Sequence, residues 1–118
     1  MSVKKRNETV DLKLSSDETI YLTITIGNAQ IGGNVLKLIG SDFLVGKGGI
    51  NNLNLGLGEG LIGKKLVVVT NILDVNEQTN AMVATYEFQG SNPLSTVFTD
   101  KIDDDGDIFS LTVTFNFT

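Results

Sequence analysis

One stretch of this chain leaves little freedom in how it can fold. TIYLTITI, residues 19–26, alternates without a break: Ile20, Leu22, Ile24 and Ile26 share one parity, and Thr19, Tyr21, Thr23 and Thr25 share the other. A helix would scatter those isoleucines around its axis. A strand, whose side chains point alternately up and down, puts them all in a core and the threonines in water. SLTVTFNFT repeats the pattern, with Leu111, Val113, Phe115 and Phe117 set against Ser110, Thr112, Thr114 and Asn116. TVDLKL does the same with Val10, Leu12 and Leu14. β-Branched and aromatic residues crowd these runs, as a pleated, half-buried surface prefers.

Further strands are expected over residues 35–39, 66–75, 81–88 and 96–102, with shorter ones over 43–45 and through Leu53, Leu55 and Leu57. The run 66–75 is apolar on both parities: Val67, Val69, Leu73 and Val75 on one, Leu66, Val68 and Ile72 on the other. That is the signature of a central strand covered on both faces. SSDE, GNAQIGG, VNEQTN, QGSNP and DDDGD supply turn chemistry between strands. Asp105-Gly106 suits a tight hairpin turn, because both residues tolerate positive φ. No window carries apolar residues at i, i+3, i+4 and i+7 with good helix formers between them. The expected fold is all-β: an antiparallel β-sandwich, jelly-roll or C2-like in general shape, with about eight strands.

A chain of 118 residues suits one domain. Residues 1–7 read as a flexible N-terminal tail and 8–118 as a single β-sandwich domain. The tail holds the one basic cluster, Lys4-Lys5-Arg6, and three charges are too few for an electrostatic anchor.

GLGEGLIGKK, residues 56–65, overlays two phosphate-binding patterns. Gly58, Gly60 and Gly63 satisfy G-x-G-x-x-G, and Gly58, Gly63 and Lys64 satisfy G-x-x-x-x-G-K. Both patterns need a strand, a glycine turn and then a helix aiming its N–H groups at phosphate. In the helix's place stands KKLVVVTNIL, whose consecutive valines are poor in a helix and at home in a strand. Lys65 also occupies the position where a magnesium-binding Ser or Thr belongs. The stretch therefore reads as a glycine corner.

Two residue types that do chemistry are missing: there is no cysteine and no histidine. That excludes disulfides, thiolate zinc sites, histidine metal sites and the histidine-assisted nucleophiles. The net charge of −5 disfavours nucleic acid and anionic lipid. No run approaches the roughly 20 apolar residues of a membrane helix, so no membrane insertion is expected. The alternating C-terminal strand does not make an outer-membrane barrel, which takes many longer lipid-facing strands. MSVKKRNETV has no apolar stretch after its basic residues and does not read as a signal peptide. The chain is expected in the cytoplasm as written, or outside it if a leader was removed.

Carboxylates remain. DKIDDDGD gathers Asp103, Asp104, Asp105 and Asp107 at a turn, and LDVNEQTN adds Asp74 and Glu77. Calcium binds six to eight such oxygens. The first loop is not an EF-hand: Lys101 holds the first ligand position and Thr112 the place of the distal glutamate. If the two loops meet at one end of the sandwich, these six residues form a candidate calcium site; otherwise they are solvated turns. Sugar hydrolysis by a carboxylate pair is disfavoured, because the chain has no Trp and only two Tyr to line a cleft. Tyr21, Thr23 and Thr25 form a flat polar strip, with Tyr21 as a natural interface anchor. The functional expectation is a non-enzymatic binding or structural assembly module acting through sheet faces, an edge strand or end loops. Its partner would be another protein or a second copy of the chain. The alternative is a calcium-dependent recognition domain using loops 74–77 and 103–107, calcium being the only cofactor considered.

Overall fold

The alternation seen in the sequence becomes two packed sheets. The structure, a computed structural model, describes residues 3–28, 30–39, 44–75, 79–92, 94–102 and 107–118. In chain order the elements are β1 (Val3–Leu14), β2 (Thr19–Ile26), β3 (Ile31–Leu38), β4 (Leu44–Gly48), β5 (Leu53–Leu57), α1 (Gly58–Leu61), β6 (Lys65–Leu73), β7 (Ala81–Gln89), β8 (Ser91–Asn92), β9 (Ser95–Lys101) and β10 (Ile108–Phe117). One sheet runs β4-β3-β6-β10-β1-β8 and the other β5-β2-β7-β9. The fold is an all-β sandwich. The expected helix-free valine run is strand β6, paired antiparallel to β3 and to β10.

Every second residue of the central strands is sealed between the sheets. Ile20, Leu22 and Ile24 of β2 face Leu66, Val68 and Ile72 of β6 and Phe109 to Phe117 of β10 in one contiguous core. Aromatic rings interlock there at centroid distances of 4.8 Å for Phe88–Phe115 and 5.4 Å for Tyr86–Phe115, in tilted and edge-on geometries that suit ring quadrupoles. Tyr86 is the one tyrosine inside, and its hydroxyl is satisfied. It lies 2.6 Å from Thr70 Oγ1, which donates to Asn34 Oδ1 at 2.7 Å; Asn34 Nδ2 in turn donates to the Gly48 carbonyl at 3.0 Å. Because the Thr70 proton goes to Asn34, Tyr86 is the donor to Thr70. The relay ties β7 of one sheet to β6, β3 and β4 of the other. Burial pushes the Tyr86 hydroxyl up to about 12.

Three expectations are corrected. The tail assigned to residues 1–7 is strand from Val3 onward, in parallel register with β10 from Val3↔Ile108 to Leu12↔Phe117. Among the described residues, that pairing also makes the sandwich antiparallel in all but one strand pair. Charged residues hold the strand in place: Lys4 Nζ donates to Asp100 Oδ1 at 2.7 Å, and Arg6 Nη1 to Asp100 Oδ2 at 3.1 Å. The Arg6 guanidinium also stacks 5.6 Å from the Phe98 ring centroid. Among the described residues the sandwich counts ten strands, including the two-residue β8. GNAQIGG is only partly a turn, since Ile31, Gly32 and Gly33 open β3. A Cβ at Gly32 would land on the Asn71 carbonyl oxygen, so glycine there serves close strand packing. Finally, β6 is covered on one face only. Leu66, Val68, Thr70 and Ile72 are buried, while Val67, Val69 and Leu73 lie half-buried on an outer face with no layer over it among the described residues. Among the described residues, no helix is long and apolar enough to cross a membrane.

Candidate functional site

The strand pairings sort the connections into two ends, and the two sequence candidates fall at opposite ones. At the glycine end, β5 runs into the single turn α1 and then into β6. The N–H of Gly58 donates to Glu18 O at 2.8 Å and that of Glu59 to Ser16 O at 3.0 Å. Gly63, at φ +90, donates to Phe117 O at 2.7 Å. The N–H groups of Gly58, Glu59 and Gly63, which a phosphate loop would offer its ligand, are used to seal the β1–β2 turn and the last strand onto the corner. A Cβ at Gly58 would strike the Ser15 carbonyl, which is why glycine stands there. Beside this corner lies an open cleft of about 430 Å³, lined by Lys13, Glu18, Asn92 and the Gly90 backbone among others.

At the acidic end, the connections after β2, β6 and β9 meet. The Gly27 N–H donates to Val83 O at 3.0 Å, and Ile102 N–H to Asn80 O at 3.0 Å. Gln30, 6% exposed, donates through Nε2 to Thr79 O at 3.2 Å and accepts from the Val75 N–H through Oε1 at 2.8 Å. Its side chain therefore holds the loop after β6 from inside. The Asp74 N–H donates to Asp107 O at 3.1 Å, extending the Leu73↔Ile108 register by one residue. The loops carrying Asp74 and Asp107 do meet.

Side-chain parity then becomes decisive. Asp74 continues the inward set Leu66, Val68, Thr70 and Ile72, and Asp107 continues the inward set Phe109, Leu111 and Val113. Asp74 is 2% exposed and Asp107 6%. Residues directly opposed on an antiparallel pair have Cβ atoms about 4.5–5.5 Å apart, so the two acids are neighbours under the rim of the core. Among the described residues, neither oxygen of Asp74 has a hydrogen-bond partner. Two carboxylates come together here, and no group of three or more ligating side chains does so among the described residues. Asp103, Asp104, Asp105 and Glu77, also expected at this site, lie outside the described residues, as does the Asp105-Gly106 turn.

The neighbouring acid Asp100 behaves differently. The Lys4 ammonium, followed by the Lys101 N–H and Arg6, holds its carboxyl below the usual carboxylate range against a smaller desolvation effect. Arg6, bonded first to Glu8 and then to Asp100, is held more firmly charged than usual. The basic cluster at the N-terminus thus commits Lys4 and Arg6 to intramolecular pairs.

The polar strip Tyr21, Thr23 and Thr25 lies on the outer face of the four-stranded sheet, opposite Gln89, Glu87 and Thr85 of β7. Tyr21 and Thr23 are half-buried. The Thr23 hydroxyl accepts the Asn52 N–H at 3.0 Å, so it helps hold the β4–β5 turn. The outer face of the larger sheet is the more apolar one, which the sequence did not single out. One register row crosses it as Ile31, Leu73, Ile108 and Val3, taken from β3, β6, β10 and β1. Ile31 is 55% and Val3 51% exposed, and Val35 stands further along β3 at 42%. The sequence shows each of these residues, but only the register puts them in a line. The chain matches no protein-family model, no curated protein and no solved structure.

Proposed function

We propose that the protein is a non-enzymatic binding and assembly module, and that the outer face of its larger sheet is the association surface, with a second copy of the chain as the first partner. The row Ile31–Leu73–Ile108–Val3 carries this reading. Scattered apolar residues on a surface need no explanation, whereas a contiguous apolar line rimmed by polar residues marks a contact site. Here the rim includes Lys5, Asn71 and Ser110. The two-sided apolar pattern of β6 fits the same reading: Val67 and Val69 are the residues of a covered strand, and a partner would supply the cover. A face of this kind pairs with itself about a two-fold axis, the commonest arrangement of soluble oligomers.

Sedimentation equilibrium over a wide concentration range tests it. The expected result is a dimer that the double substitution Val3→Lys, Ile31→Lys converts to monomer. The stability of the monomer should stay within the scatter typical of exposed sites, about 0.5 kcal/mol. A wild-type chain that stays monomeric at the highest concentration would remove self-association through this face.

A further inference from the structure

We infer that Asp74 and Asp107 are ligands of a divalent cation of the calcium class, bound at the acidic end of the sandwich. This site is separate from the outer-face surface, and neither reading depends on the other.

The inference rests on Asp74. An ionised carboxylate taken out of water is costly unless a donor or a positive charge compensates it. Asp74 is 2% exposed, and among the described residues neither of its oxygens meets a donor. A second inward-facing carboxylate, Asp107, stands opposite it on the paired strand. Like charges so close repel, which raises the demand for a cation. The protein does not supply one from the connections that build this end. Its described connecting residues, 27, 28, 30, 74, 75, 79, 80, 102 and 107, contain no Lys or Arg, while two of them, Asp74 and Asp107, are acids. Of the basic side chains on β1 and β9, Lys4 is paired with Asp100, and Lys101 is exposed at the end of β9. The charge that compensates Asp74 comes from solution.

The donor set selects the kind of cation. With no histidine or cysteine in the chain, only oxygen ligands are on offer, which suits hard ions. Loop carboxylates and backbone carbonyls in irregular arrangement suit calcium, whereas magnesium demands a near-ideal octahedron and gives up its waters reluctantly. Gln30 contributes by fixing the backbone on the C-terminal side of Asp74, through its bond from Val75 N–H at 2.8 Å. That lowers the ordering cost of binding.

The test is thermal melting of chelator-stripped wild-type protein, with and without calcium, beside Asp74→Asn. About 5 mM calcium is enough, since the weakest natural calcium modules have dissociation constants of ~1 mM. Wild type should rise by several degrees with calcium, and Asp74→Asn should not respond. In chelator, Asp74→Asn should melt at or above wild type, because the amide removes an uncompensated buried charge. If Asp74→Asn does not fold, isothermal titration of wild type decides: one calcium per chain supports the site, and no heat at the same concentration overturns it. A calcium response that persists undiminished in Asp74→Asn overturns it as well.

Discussion

At the glycine end of the sandwich, the N–H groups of Gly58 and Glu59 are taken by the carbonyls of Glu18 and Ser16. At the acidic end, among the described residues, the carboxylate of Asp74 is buried with no donor. The first end carries a sequence pattern associated with ligands, and the N–H groups of Gly58, Glu59 and Gly63 are closed onto the protein itself. The second matches no binding motif, and among the described residues its Asp74 carboxylate is left without a donor. A motif is therefore only as good as the groups left over after the fold has used what it needs. Buried polar groups are nearly always satisfied, so the unsatisfied one carries more information than the recognised pattern.

Substitutions at the closed end probe the comparison most forcefully. Gly58→Ala would push a methyl group into the Ser15 carbonyl, and the backbone on both sides is pinned by hydrogen bonds. A loss of about 3 kcal/mol in a urea melt is expected, at the upper range for overpacking. A loss below about 0.5 kcal/mol, the level of a neutral surface change, would mean that the corner is looser than its hydrogen bonds imply and open to a ligand after all.

In the middle of the sandwich, Tyr86 gives the counter-example to Asp74, a buried polar group fully served. Tyr86→Phe should cost about 1–2 kcal/mol, because it removes the donor to Thr70. It should also change the alkaline limb of stability. Burial raises the folded hydroxyl to about 12, against about 10 when unfolded. The unfolded chain therefore releases its proton first. This contribution is intact below about pH 10 and fades as the pH climbs toward 12. The phenylalanine variant should lack that decline in melts run across the interval.

Asp100 sharpens the contrast within the acidic end, since it has the partners that Asp74 lacks. Asp100→Asn at neutral pH should cost less than about 1 kcal/mol, because the pairs with Lys4 and Arg6 are partly solvated. The lowered folded value sets the sign of the pH effect. The stabilisation is present above the unfolded value of about 3.9 and is lost as the pH falls through the folded one. Wild type and variant should therefore converge in stability at strongly acidic pH. The smallest effect belongs to Gly60→Ala, whose methyl group meets open space in the α1 turn. It should be neutral or stabilise by about 0.5 kcal/mol through the unfolded chain. Two glycines of one motif would then differ by several kcal/mol, which a shared ligand-binding role does not explain.

Much of the fold was written in parity. β2 and β10 could be read residue by residue, because a strand with one wet face cannot hide its period. β1 was legible only from Val10 on. Its first residues, Lys4 and Arg6, occupy the inward parity where Asp100 and Phe98 receive them, and charge in that position looks like a tail. α1 was illegible for the opposite reason: Gly58, Glu59 and Gly60 together have little helical preference, and the turn exists because neighbouring carbonyls accept its N–H groups. Asp74 and Asp107 were each visible as acids, but their meeting depended on the β6–β10 register, a long-range pairing that no local pattern encodes. The outer-face row stayed hidden for the same reason.

One NMR titration sets the two ends against each other in a single sample of the stripped protein. Calcium is added first and a magnesium nucleotide second, while the side-chain carboxyl carbons and the backbone amides are followed. The Asp74 and Asp107 carboxyl signals should move with calcium and saturate, while the Gly58 and Glu59 amides stay put through both additions. Unmoved Asp74 and Asp107 signals, or Gly58 and Glu59 amides that shift with the nucleotide, would contradict the assignment of an open acidic end and a closed glycine end.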